Sequence, residues 1–201
     1  MSDFVYRYVP GQTGETLLLL HGTGGNETDL LGLGPALLPG AGILSPRGQV
    51  LEHGMPRFFR RFAEGVFDVE DVKARAAELG EFVRAMAREH GFDPERVTAM
   101  GYSNGANIAA AMLLTGAVRF PRAVLVRAMV PLEPAVLPDL TGTEVFLAVG
   151  LYDPMATAEQ TSMLSAQLEN AGAAVTKHIE RSGHQMTQGD IEAAGRWLAG
   201  K

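Results

Sequence analysis

Apolar residues recur along the chain in two rhythms. The first is a set of nearly continuous runs, Thr16–Leu20, Val97–Tyr102, Ala123–Ala128 and Val145–Leu151, each five to seven residues long. Runs of that length and composition predict strands buried on both faces. Gly42–Leu44 is a shorter run closed by Ser45 and Pro46, Val5–Val9 reads as an edge strand ending at Pro10-Gly11, and Val175–Ile179 alternates like a last strand. The second rhythm has steps of three and four. Val72, Ala76, Leu79, Val83 and Met86 predict an amphipathic helix over 68–90, with Asp68 as N-cap and Gly91 as the stop. Asn104–Leu114, rich in Ala and Leu, predicts another. Thr157 to Gln160 has the form of a capping box, opening a helix that ends before Gly172, and Ile191, Ala194 and Leu198 mark a closing helix.

Strands alternating with helices predict an α/β fold, a mostly parallel sheet flanked by helices on both faces. Ligand sites in such sheets lie at the carboxyl ends of the strands, so the chemistry is expected in the loops that follow them. Residues 55–67 fit this scheme least. Phe58, Phe59 and Phe62 are expected to pack into the core from an ordinary helix. The other reading is a flap over a substrate pocket, with an arginine meeting a substrate carboxylate.

With 201 residues and neither repeat nor linker-like shift, a single domain over 1–201 without a large lid domain is expected. The formal charge of −6 argues against nucleic acid as a partner and gives no attraction to anionic membranes. Arg57, Arg60 and Arg61 form the one dense positive spot, by default a solvated face. The absence of cysteine excludes disulfides, thiolate metal sites and a cysteine nucleophile. No apolar run reaches the ~18 residues of a transmembrane helix, and the first residues lack a basic region followed by an apolar stretch. A cytoplasmic protein without membrane partner is the expectation.

Against this background one pattern carries chemistry. Gly101-Tyr102-Ser103-Asn104-Gly105 has the G-x-S-x-G form of a nucleophile elbow, entered by an apolar strand and left by a small-residue helix. Even with 24 glycines, composition alone yields the pattern only about 0.08 times. The tight turn holds the serine in a strained conformation, and the flanking glycines let neighbouring chain pass. His21-Gly22-Thr23-Gly24-Gly25 follows the first buried strand and fits no phosphate-loop spacing. Its expected role is an oxyanion hole made by the N–H of Thr23 with that of Asn104. His21, directly before the turn, is expected to brace the loop.

Elbows of this kind are followed in the chain by an acid and then a histidine. His184, in the loop between the last strand and the last helix, is favoured as base over His178, which lies within a strand. Asp153 stands just past the run Val145–Leu151 and is preferred as orienting acid to Asp139, Asp190 and Glu133. No H-E-x-x-H cluster suggests a metal.

On Leu18–Gly25, Gly101–Ala106, Gly150–Pro154 and Ser182–His184, the whole chain resembles the phospholipase/carboxylesterase family of compact α/β-hydrolases, relatives of acyl-protein thioesterases and dienelactone hydrolases. Residues 54–61 resemble its bacterial carboxylesterase-like branch. The resemblance implies the α/β-hydrolase fold, a Ser103–Asp153–His184 triad with Thr23 and Asn104 as oxyanion donors, esterase action on small-molecule, short-chain esters through an acyl-enzyme, no cofactor, and a homodimer as a frequent assembly. The chain departs from the dienelactone hydrolases in lacking their cysteine nucleophile. It departs from many relatives in reading Asp153-Pro154-Met155-Ala156-Thr157 where they have Asp-Pro-x-Val-Pro. Two other functions are weighed: a thioesterase or lysophospholipase using the same triad, and a catalytically silent binding protein on the hydrolase scaffold. An enzyme of this design should slow in acid, as His184 takes up a proton.

Overall fold

A computed structural model describes residues 4–200. Strands β1 (Tyr6–Val9), β2 (Thr16–Leu20) and β3 (Gly42–Pro46) are followed by two hairpins, β4 (Val50–Glu52) with β5 (Met55–Arg57) and β6 (Arg61–Ala63) with β7 (Val66–Phe67). Strands β8 (Val97–Tyr102), β9 (Arg122–Val126), β10 (Glu144–Gly150) and β11 (Ala174–Glu180) complete a seven-stranded sheet. Its order is β1-β3-β2-β8-β9-β10-β11, parallel except for β1 against β3. A short helix, α1 (Gly34–Leu37), precedes β3; α2 (Val69–His90), α3 (Asn104–Leu114) and α4 (Ala158–Asn170) connect the later strands, and α5 (Gln188–Leu198) follows the last one.

The continuous apolar runs are explained by two cores, one on each face. Leu18 and Leu20 of β2 join the core under α2, α3 and α4; their neighbours Leu17 and Leu19 join the core under α1 and α5. Successive side chains on a strand point to opposite faces, so a strand covered on both must be apolar throughout. The edge strand β1 alternates between half-buried and exposed positions.

Helix ends follow local chemistry. Asp68 accepts the N–H of Asp71 at the start of α2, and Gly91, at φ 74°, closes it in the left-handed conformation that favours glycine. At α4 only half of the expected capping box forms. Thr157 accepts from Gln160 N, but the Gln160 side chain turns away and its Oε1 accepts from Val130 N at 3.0 Å. A reciprocal box closes instead at α5, between Thr187 and Asp190.

The helix expected over residues 55–67 is not there. Pro56 and the left-handed turns at His53, Gly54 and Gly65 fold this stretch into the two hairpins. Phe58 and Phe59 are buried as expected, whereas Phe62 is 75% exposed. No helix among the described residues is long and apolar enough to cross a membrane.

Candidate active site

The elbow between β8 and α3 is drawn tight. Ser103 sits at φ 52° and ψ −113°, a conformation that side chains rarely adopt, held by its N–H donating to Val126 O at 2.9 Å and its carbonyl accepting from Asn107 N. Both glycines are sterically required. A Cβ on Gly101 would lie 2.3 Å from Gly105 O, and one on Gly105 would lie 1.9 Å from Leu20 O. The strain presents the hydroxyl at the carboxyl end of the central strand, at the N-terminus of a fully buried helix.

Ser103, His184 and Asp153 come together from the loops after β8, β11 and β10. His184 Nε2 is 2.8 Å from Ser103 Oγ, and His184 Nδ1 is 2.8 Å from Asp153 Oδ2. A carboxylate only accepts, so it places the ring proton on Nδ1 and leaves Nε2 free to accept from the serine. The Asp153 carboxylate is itself fixed, with Oδ1 accepting from Met155 N at 2.8 Å and Ala156 N at 3.0 Å. These bonds need no Val-Pro sequence after the turn, so the departure there leaves the acid in place. Tyr102 Oη donates to His184 O at 3.1 Å.

The opposite wall is the loop 21–25. Gly24 N and Gly25 N donate to Pro56 O and Gly22 O, while Thr23 N–H has no acceptor among the described residues. Asn104 N–H, the first of α3, has no intrahelical acceptor by construction. His21 braces this loop as expected. It is buried, its Nδ1 lies 2.7 Å from Gly22 O, and its Nε2 accepts from Gly48 N at 3.0 Å. Burial pushes its imidazole pKa down, which favours the neutral ring that this acceptor role requires.

The remaining candidates sit elsewhere. His178 lies on β11, stacked on Phe146, with Nε2 2.9 Å from Glu180. Asp139 holds a turn through Thr141 N, and Glu133 is exposed beside a neighbouring groove. Asp190 is wholly buried against Arg127.

Arg127 and the amides of α3 are the residues that sequence reasoning missed. Arg127, at φ 56°, gathers the histidine loop: Nε donates to Gly183 O, and Nη2 to Ser182 Oγ, Gln185 O and Asp190 Oδ2. Its one sequence signal is being the sole polar residue in an apolar stretch. The α3 amides tie neighbouring loops to the helix, since Asn104 Oδ1 accepts from Phe58 N and Asn107 Oδ1 from Met129 N.

The hairpins complete a narrow cleft beside Ser103, lined by Thr23, Arg57, Arg61, Phe67, Met129 and Met155 among others. The Thr23 hydroxyl accepts from Arg57 Nη1. Burial, with Arg61 nearby, lowers the Arg57 guanidinium pKa to about 10, so it is still a cation at neutral pH.

No protein-family model matches the chain. It is 47% identical over 190 residues to the "Putative hydrolase MhqD" of Bacillus subtilis (strain 168), covering 94% of this chain and 95% of that protein. The crystal structure of the Bacillus cereus carboxylesterase superposes with a TM-score of 0.94 at 47% identity, over 96% of this chain and 92% of that one. The structure of YahD with malic acid gives a TM-score of 0.93 at 32% identity, over 100% and 99%. With this identity over nearly the full length, on a fold and an elbow of the expected kind, the chain belongs to the carboxylesterase-like family of α/β-hydrolases, as a carboxylesterase-type hydrolase.

Proposed function

We propose that the chain is a serine esterase acting on small or short-chain carboxylic esters through an acyl-enzyme. The observation that carries this is the continuous relay from Ser103 Oγ through His184 to Asp153, with both contacts at 2.8 Å. His184 Nε2 takes the Ser103 proton as Oγ attacks the ester carbonyl. The charge that develops on the carbonyl oxygen is met by the N–H groups of Thr23 and Asn104, donors already in place before reaction. The imidazolium, steadied by Asp153, then protonates the departing alkoxide. A water activated by the same nitrogen attacks the acyl carbon, releasing the acid and returning the proton to Ser103. YahD was solved with malic acid, a small carboxylic acid.

Ser103→Ala should lower turnover of short-chain esters by at least about a thousandfold, as removal of a triad member does elsewhere. It should also abolish labelling by a fluorophosphonate probe. Retained turnover in Ser103→Ala would sink the assignment. A wild-type protein that neither hydrolyses esters nor takes the label would instead be a binding protein on the hydrolase scaffold.

One observation favours a second reading, a thioesterase or lysophospholipase. An apolar groove of about 440 Å³, lined by Val66, Val69, Val130, Leu132 and Met163, shares Gly65 and Phe67 with the cleft and offers room for a longer acyl chain. A chain-length series separates the two, because kcat/KM rising steadily with acyl length would favour the long-chain substrate.

A further inference from the structure

The cleft beside Ser103 is lined by two arginines and by no carboxylate. Arg57 is almost wholly buried, and Arg61 is 19% exposed. Both lean on one counter-charge, Glu52, which does not line the cleft. Arg57 Nε lies 3.3 Å from Glu52 Oε2 and donates to Phe59 O at 3.2 Å, while its Nη1 donates to Thr23 Oγ1. Arg61 Nε donates to both Glu52 oxygens, at 2.9 and 3.1 Å. Among the described residues, neither Arg57 Nη2 nor the two terminal nitrogens of Arg61 have an acceptor. The buried Asn104 Nδ2, at the same cleft, is also without a partner.

We propose that Arg57 and Arg61 form an anion subsite, and that the esters this protein hydrolyses carry a carboxylate on their acyl or alcohol part. This rests on the reading of Ser103 as nucleophile. Two guanidinium groups sharing one carboxylate leave an excess positive charge in a confined space, on a chain whose formal charge is −6. A buried cation short of a partner is costly, and the cost falls when a ligand supplies the missing anion. The free N–H groups present the forked, planar donor pattern that a carboxylate fits. The cleft is narrow, with about 20 Å³ of free space, little more than one water occupies, so only a small group at the end of a ligand can reach the two guanidinium groups.

The test uses two ester pairs that differ in charge alone: monomethyl glutarate with the methyl ester of glutaramic acid, and acetoxyacetate with acetoxyacetamide. The wild type is expected to prefer the anionic member of at least one pair by about tenfold or more in kcat/KM, the worth of one charge-assisted hydrogen bond. Arg61→Gln should bring that ratio down to below about threefold, and Glu52→Gln, which removes the competing carboxylate, should raise it. Glutarate should slow fluorophosphonate labelling of the wild type more than glutaramide does, and Arg61→Gln should erase the difference. Ratios near one in both wild-type pairs, or an equal loss on both members of a pair in Arg61→Gln, would overturn the subsite. The serine would still take the label in that case, so the hydrolase reading would survive. Absence of both labelling and turnover would remove the hydrolase reading and this inference with it.

Discussion

Two arginine clusters flank the candidate nucleophile, and they are built to opposite specifications. Behind His184, Arg127 and Asp190 are both completely buried, with Nη1 and Nη2 on the two carboxylate oxygens at 3.1 and 2.8 Å. The other donors of this guanidinium meet Gly183 O, Ser182 Oγ and Gln185 O. In front of Ser103, Arg57 and Arg61 divide one carboxylate between them and, at the narrow cleft they line, keep terminal nitrogens without an acceptor among the described residues. A buried charge pair in which every guanidinium nitrogen already has an acceptor is scaffolding, because little remains for a ligand to add. A cluster lacking a counter-charge is left with something to bind.

The contrast breaks most visibly behind the histidine. Arg127→Met leaves the Asp190 carboxylate buried without its cation, which should cost about 3–5 kcal/mol of stability. It also releases the loop that carries His184. Urea unfolding should show the loss, and kcat in the folded fraction should fall more than KM changes. Arg127→Met/Asp190→Asn removes the stranded charge and keeps a side chain able to cap α5, so it should be more stable than the single variant. A double variant no better than the single would show that the positive φ at 127, and not the ion pair, is what the network holds.

A smaller loss is expected at Tyr102, whose hydroxyl donates to His184 O at 3.1 Å. Tyr102→Phe should cost about 0.5–1.5 kcal/mol by urea unfolding, the net worth of one hydrogen bond. A far larger effect would mean that Tyr102, and not Arg127, is the principal anchor of the histidine loop.

The satisfied cluster and the deficient one were also unequally legible in the sequence. Periodicity and caps locate α2 to the residue, since Asp68 and Gly91 act through bonds with their immediate neighbours. Ser103, Asp153 and His184 stand out as candidates because each follows a strand that is itself visible, as an apolar run before the first two and as an alternation before the third. The hairpins were misread because Phe58, Phe59 and Phe62 have helix-like spacing, while the turns at Gly54 and Gly65 that override it depend on pairing across strands of two or three residues. Arg57 and Arg61 read by default as a solvated face, with an arginine meeting a substrate carboxylate only as the alternative, and their place beside Ser103 is created by that pairing. The Arg127–Asp190 bond joins residues 63 apart, and nothing local in either segment announces it.

Stability offers the finest comparison of the two clusters. Arg61 and Glu52 are partly exposed, at 19% and 25%, so water screens their pairing and already solvates each charge when the other is removed. Arg61→Gln should therefore cost under about 1 kcal/mol in urea unfolding, in the range of surface ion pairs. The same variant is expected to shift substrate preference about tenfold, so stability and selectivity should separate. At Arg127 the two should fall together, because the residue acts on catalysis only by holding a loop in place. If Arg61→Gln instead unfolded the protein as readily as Arg127→Met, the front cluster would be a second piece of scaffolding. Its unused N–H groups would then be a by-product of how the hairpins pack, and the distinction between the two arginine clusters would collapse.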